Sequence, residues 1–213
     1  MKKLIFAMCL IIAFTLLNAQ LINSYGFKVG VCIANQDFDY VNNVYEFDMK
    51  SRIGLDLGFF IELLNNEILH LLIETHYMQK GHIFEFTVIN EEIFGPDAFS
   101  NEEFQSRVDY MTFDILCKFF INHENVTSYF FAGPRLDILL DYDSEEHLFD
   151  AIYDELEPID FGIDVGFGFE FQILKEKITL IEFRYTPTLT TSFEGEYYTI
   201  KNTSFEILTG VKF

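Results

Sequence analysis

The sequence contains no tryptophan, only four prolines and three cysteines, and few basic residues. Lys and Arg number 14 against 34 Asp and Glu, which gives a formal net charge of −20. A surface of this sign repels phosphate backbones, so nucleic acid is excluded as an expected partner. Three cysteines cannot form a disulfide framework. Half of the 213 residues are apolar, which is too many for a disordered chain and indicates one folded domain or two small ones.

The first twenty residues differ from the rest of the chain. Lys2 and Lys3 precede an apolar run over residues 4–17, and Ala19 follows shortly after it. This order is typical of a secretory signal peptide, which we expect to span residues 1–19. The run is shorter than the roughly 20 residues that a membrane-spanning helix needs, and no longer run follows. We therefore expect a mature domain over residues 20–213 that meets any membrane without helices.

Apolar and polar residues alternate along eight segments of this domain. The clearest is 160–171, where every odd residue is apolar and the even ones are Gly, Asp or Glu. The predicted strands are 26–35, 53–63, 68–82, 108–121, 128–142, 160–171, 178–190 and 203–213. Strands of about ten residues are longer than the usual five or six, as expected of strands that cross a fixed thickness.

Long and short connections alternate between these segments. The long ones are 36–50, 83–107, 143–158 and 191–202, and the short ones are 65–67, 122–127 and 174–177. Alternate connections of an up-and-down sheet lie at the same end. The pattern therefore predicts an all-β fold, an eight-stranded antiparallel up-and-down transmembrane β-barrel with four long loops at one rim and three tight turns at the other.

The composition of the two strand faces indicates which one points outward. The polar face mixes glycine with charges of both signs, as a narrow interior filled by paired charges requires, and the chain ends on Phe213 in phase with the apolar face. We therefore expect the apolar face to contact lipid, with Tyr77, Tyr142 and Tyr185 as interfacial aromatics. Pro134 lies inside a predicted strand and indicates a bulge there. The predicted inward charges are Lys28, Arg52, Lys80, Lys118, Arg135, Arg184, Lys212, Asp56, Glu62, Glu74, Asp114, Asp137, Asp141, Asp160, Asp164, Glu170, Glu182 and Glu206. A soluble lipid-binding barrel with reversed faces is the alternative.

The sequence offers little sign of catalytic chemistry. His70, His76 and His82 share one strand face, but neighbours lie about 20 Å apart along a strand, so they cannot share a metal ion. No Gly-x-Ser-x-Gly segment or calcium-loop spacing occurs. We expect no catalytic, cofactor-binding or metal-binding residue. The four long loops hold 19 of the 34 acids and only three bases, Lys50, Arg107 and Lys201, and so form an acidic rim.

Several short motifs resemble one known family. Residues 26–30 (GFKVG) are similar to its opening Gly-x-Lys-x-Gly strand, and residues 110–119 (YMTFDILCKF) to its central Tyr-Leu-x-Ile-Pro-Leu-Leu-x-Lys-Tyr strand, with Asp114 where the family commonly has proline. Residues 131–134, 160–162, 183–185 and 210–213 also fit. The chain resembles the PorT-type outer-membrane β-barrel proteins of Bacteroidota-like bacteria. The resemblance implies an eight-stranded barrel in the outer membrane, without an assigned biochemical activity.

The leading hypothesis is a non-enzymatic outer-membrane barrel with a structural or interaction role at the cell surface. Its expected partners are outer-membrane lipids and lipopolysaccharide, the barrel-assembly machinery through the C-terminal strand ending in Phe213, and an extracellular partner at the acidic loops. A narrow channel or hydrophobic-solute porter is the second hypothesis, and it needs an open lumen. A lipid-modifying barrel enzyme is the third, and it needs His82 to act at the outer rim.

Overall fold

The computed structural model describes residues 22–40, 49–64, 68–89, 99–122, 126–144, 156–174, 177–195 and 198–213. They form nine strands: β1 (Ile22–Tyr40), β2 (Met49–Leu63), β3 (Leu69–Ile89), β4 (Phe99–Asn122), β5 (Val126–Ser144), β6 (Ile159–Leu174), β7 (Lys177–Pro187), β8 (Phe193–Glu194) and β9 (Tyr198–Lys212). Within these ranges, no helix is long and apolar enough to cross a membrane.

The strands form one closed antiparallel ring. Consecutive strands pair from β1 to β7, β7 pairs with β9, and β9 returns to β1 over the register Gly26↔Lys212 to Tyr40↔Tyr198. The two-residue β8 pairs only with the outer end of β9, so eight strands make up the ring. The predicted eight-stranded up-and-down barrel is confirmed.

Most strands are longer than predicted at the long-loop rim. The pairing of β3 with β4 continues to Ile89↔Phe99, well inside the predicted loop 83–107. The predicted loop 191–202 is wrong in its placement, because β7 ends at Pro187 and β9 already begins at Tyr198. Residues 188–192 instead form an irregular segment between β6 and β9, held by main-chain bonds from Leu189 N to Phe161 O and from Ser192 N to Ile200 O.

The alternating faces lie as predicted. Phe27, Ile115, Phe130 and Val165 are among the apolar side chains exposed on the outside of the ring. Of the predicted inward charges, all but Arg52 and Asp141 are buried. An apolar exterior around a charged interior is the arrangement of a barrel that faces lipid, and it excludes the reversed faces of a soluble barrel.

The predicted bulge at Pro134 is wrong. The register of β4 with β5 is the same on both sides of Pro134, and β6 pairs with it directly at Ile163. The bulge lies instead at Leu140, which has no partner between the pairs Asp109↔Asp141 and Tyr110↔Leu139. An extra residue reverses the faces of everything beyond it.

That reversal explains two misplaced side chains. Beyond the bulge, Asp141 turns outward and is exposed. Tyr142 turns inward and packs against a buried apolar cluster at the barrel mouth, so it is not an interfacial aromatic. Tyr185 does lie on the outer face, where half of its surface is exposed.

Glycines on the inner face make room for large side chains of the neighbouring strand. A Cβ atom on Gly166 would lie 2.3 Å from the Phe131 ring and 2.5 Å from the main-chain oxygen of Phe183. A Cβ atom on Gly162, on the same strand, would approach nothing closer than 3.0 Å. The narrow lumen therefore explains why glycine occupies these positions on the inner face.

We expect Gly166→Ala to lower the free energy of unfolding by about 1–3 kcal/mol, the usual cost of overpacking a filled interior. Chemical denaturation of the barrel in detergent micelles measures this change. Gly162→Ala is the matched control and should cost clearly less, because its Cβ atom would lie 3.0 Å rather than 2.5 Å from a main-chain oxygen. Equal stability of the two variants would show that the lumen has spare room beside Phe131.

Candidate functional site

The buried charges of the lumen form two networks at different heights. The lower network, near the tight turns, consists of two lysines and two glutamates. Lys118 Nζ lies 2.5 Å from Glu62 and 2.6 Å from Glu170, while Lys212 Nζ lies 2.5 Å from Glu170 and 3.3 Å from Glu62. The charges balance, and each amine bridges both carboxylates, which buried ions require.

The central network is organised around two arginines. Arg135 Nε donates to Asp137 at 2.8 Å, and its Nη1 lies 2.8 Å from Glu206 and 3.3 Å from Asp164. The network consists of the bases Lys28, Lys80, Arg135 and Arg184, the acids Asp56, Glu74, Asp114, Asp137, Asp164, Glu182 and Glu206, and His76.

Arg184 connects opposite walls of the barrel. Its Nη2 lies 2.5 Å from Glu74 and 2.6 Å from Glu182. Glu74 is on β3 and Arg184 on β7, which are four strands apart in a ring of eight. Lys28 reaches from β1 to the same two glutamates. The ion pairs therefore cross the full width of the lumen.

A second set of contacts crosses the lumen nearer the outer rim. Asn202 Nδ2 on β9 lies 3.1 Å from the Tyr110 hydroxyl on β4, again on the opposite wall. The same amide group contacts Ser192 at 2.8 Å and Asp160 at 3.1 Å. These polar contacts adjoin a buried apolar cluster at the mouth: Phe84, Val108, Tyr110, Leu156, Phe193 and Ile200. The irregular segment 188–192 thus brings polar side chains into the barrel mouth.

The three predicted lumen histidines occupy separate sites. All three are buried, and each has its own partner. His70 Nδ1 lies 3.3 Å from Glu62, His76 Nδ1 lies 2.6 Å from Asp56, and His82 Nδ1 lies 2.6 Å from the side-chain oxygen of Gln36. The expectation that they are separate, hydrogen-bonded lumen residues is confirmed.

One grouping was missed by sequence reasoning. A nitrogen of His76 and carboxylate oxygens of Glu74 and Asp114 lie within 4.8 Å of one another. We call these three residues the histidine–carboxylate corner. Glu74 and Asp114 are register partners on β3 and β4. The spacing Glu-x-His was visible in the sequence, but the register that adds Asp114 was not.

The outer rim carries exposed ion pairs rather than a closed network. Lys50 Nζ lies 2.6 Å from Glu85 and 3.2 Å from Glu103. Its hydrogen bonds to these two carboxylates raise the pKa of Lys50 above its usual value. Arg107 lies 3.3 Å from Asp109. In the described part of the rim, these acids therefore have a small number of basic partners, Lys50 and Arg107.

A closed ring of eight antiparallel strands with an apolar outside and a buried, charged inside defines a transmembrane barrel of the outer-membrane type. Comparison of the sequence with family models agrees with this class. The chain belongs to the family described as outer membrane protein beta-barrel domain, whose model matches residues 18–194. The search of curated proteins found no match.

Solved structures of small outer-membrane barrels are similar to the chain. The outer membrane protein OprG from Pseudomonas aeruginosa has a TM-score of 0.52 at 9% identity, over 91% of this chain and 97% of OprG. Ail, the attachment invasion locus protein of Yersinia pestis, has a TM-score of 0.44 at 15% identity, over 89% of this chain and 98% of Ail. At these identities the likeness concerns the fold alone. The family places the protein in the outer membrane.

Proposed function

We propose that the protein is a closed barrel that anchors an acidic surface outside the outer membrane and has a structural or interaction role there. The observation that carries this proposal is the pair of contacts across the lumen, Arg184 to Glu74 and Asn202 to Tyr110. Because opposite walls are tied together at two heights, the barrel has no wide path for solutes. The outer rim is then the surface left for function.

The partners follow from the two surfaces. The apolar exterior contacts outer-membrane lipids and lipopolysaccharide, and the 19 acids of the long-loop segments favour a basic partner outside the cell. The C-terminal strand that ends in Phe213 is the segment through which the barrel-assembly machinery would recognise the chain. We also propose that residues 1–19 are a signal peptide removed on export, that 20–213 is the mature barrel, and that it is a PorT-type protein.

We infer that the protein is not an enzyme. The lipid-modifying hypothesis requires His82 to reach a substrate at the rim. His82 is fully buried, and its Nδ1 faces Gln36, which in turn donates to Asn202 at 3.2 Å. This arrangement favours a role in holding the barrel mouth together.

Conductance in planar lipid bilayers tests the closed lumen. We expect the refolded wild-type protein to give no stable openings, while an outer-membrane porin in the same bilayer conducts. Folding of each sample is verified first by a mobility shift between boiled and unboiled protein on gels. Regular single-channel steps from the folded wild type would contradict the proposal and favour the channel hypothesis.

A further inference from the structure

We propose that the histidine–carboxylate corner binds a divalent transition-metal ion, for which zinc is the model ion. The ligands are one imidazole nitrogen of His76 and one carboxylate oxygen each from Glu74 and Asp114. This proposal is independent of the closed-lumen function. It departs from the expectation that no residue of the chain binds a metal, which was based on the distances between histidines and on the lack of a calcium-loop spacing.

The distances suit a metal ion after a small adjustment. Zinc lies about 2.0–2.2 Å from nitrogen and oxygen ligands in a tetrahedral site, so two ligands of one ion lie about 3.3–3.6 Å apart. The three ligand atoms lie within 4.8 Å of one another. His76 Nε2 and Glu74 already have about this separation, at 3.2 Å, and side-chain rotations that move the remaining ligand atom by about 1–1.5 Å bring all three to bonding distance. A nitrogen ligand beside two carboxylates favours zinc or a similar transition metal over calcium or magnesium.

Asp56 prepares His76 for this role. Nδ1 of His76 lies 2.6 Å from Asp56, and Nε2 lies 3.2 Å from Glu74. A neutral imidazole donates from one nitrogen only, so an Nδ1–H bond to Asp56 leaves the lone pair of Nε2 facing a carboxylate. A proton or a metal ion on Nε2 removes this conflict, and the two compete for that nitrogen. A carboxylate behind the histidine is the usual support of a metal-binding imidazole.

The environment of Asp114 is an independent observation that points to a bound ligand. Its side chain is fully buried, and among the described residues neither carboxylate oxygen has a hydrogen-bond partner. The guanidinium nitrogens of Arg184 and Arg135 lie 3.9 Å and 4.0 Å away, too far for hydrogen bonds. Burying an ionised carboxylate without such bonds is costly. The buried hydroxyl of Thr112, the register partner of His76, likewise has no partner in this part of the chain.

The net negative charge of the central network also favours a bound cation. With His76 neutral, its seven acids exceed its four lysines and arginines by three. Glu74 already pairs with Lys28 and Arg184, so it can share only part of its charge with a metal. Among the described residues, Asp114 has no base within hydrogen-bond distance, and Asp56 pairs with His76 but with no lysine or arginine. A divalent ion between His76 and Asp114 offsets two of the three excess charges where they are least compensated.

Cobalt(II) provides a probe whose visible absorption reports nitrogen and oxygen ligands directly. The full chain is refolded into detergent micelles with cobalt chloride and dialysed, and bound metal is measured by absorption and elemental analysis. We expect about one ion per folded wild-type chain. His76→Gln and Asp114→Asn should bind at least tenfold more weakly, whereas the matched lumen variant His70→Gln should bind like the wild type. The gel-mobility shift verifies folding of every sample.

Three results would overturn the proposal. The folded wild type could bind no cobalt, His76→Gln could bind as well as the wild type, or His70→Gln could lose the ion equally. If Asp114→Asn does not fold, Asp56→Asn takes its place and should also weaken binding. A wild type without metal, together with an Asp114→Asn variant more stable than it, would show that a proton neutralises Asp114 instead.

Discussion

Replacing Arg184 with alanine is expected to lower the free energy of unfolding by about 3–5 kcal/mol, the cost of breaking a buried ion pair by removing one partner. Among the described residues, the substitution leaves Lys28 as the one lysine or arginine that pairs with both Glu74 and Glu182. It also removes the ion pair that ties β3 to β7 across the lumen. The loss therefore combines uncompensated charge with a missing contact between opposite walls.

Denaturant unfolding in detergent micelles measures this effect. Circular dichroism follows the transition, because the chain contains no Trp for fluorescence. Arg107→Ala is the control, because Arg107 is partly exposed at the rim and lies 3.3 Å from Asp109 and 3.8 Å from Asp143. Exposed pairs contribute about 0–1 kcal/mol. If both alanine variants unfold alike, water in the lumen screens its charges as effectively as the outside does.

A charge on the outer face should destabilise the barrel according to its depth. Ile115 and Ile121 both lie on β4 and point to lipid, with 52% and 48% of their surface exposed. Ile121 is next to the tight-turn end of the strand, and six residues along a tilted strand place Ile115 about 15 Å deeper. We expect Ile115→Lys to cost about 2–4 kcal/mol and Ile121→Lys about 0–1 kcal/mol.

Unfolding from lipid vesicles rather than micelles is the suitable measurement, because only a bilayer has a defined midplane. The comparison is matched in residue type, strand and exposure, so depth is the main difference between the variants. Equal costs at the two sites would mean that the apolar band of the barrel is not centred near Ile115.

Much of the fold was predictable because side-chain alternation is a local property. Strand type, the inner and outer faces and the order of long and short connections all follow from a period of two. The bulge at Leu140 escaped prediction, since a bulge depends on the partner strand. Three consecutive apolar residues, Ile138, Leu139 and Leu140, were its only signal in the sequence.

The lumen contacts were predictable in composition but not in pairing. The sequence showed that charges of both signs face inward, yet the partner of each one depends on strand register and barrel width. Glu74 meets Arg184 because the barrel is narrow enough for one arginine to reach the opposite wall. Asp114 lies close to His76 because the register of β3 and β4 pairs Asp114 with Glu74, two residues from His76.

The ion pairs of the lumen also bear on how the chain enters the membrane. Lys28 and Glu182 are 154 residues apart in sequence, and Lys212 and Glu62 are 150 apart. A single hairpin inserted alone would carry these charges into hydrocarbon without their partners. Stepwise insertion of hairpins is therefore disfavoured, and the strands must curl around a hydrated interior before or while they cross the bilayer. Closure of β1 on β9 is then the event that commits the chain to its final state.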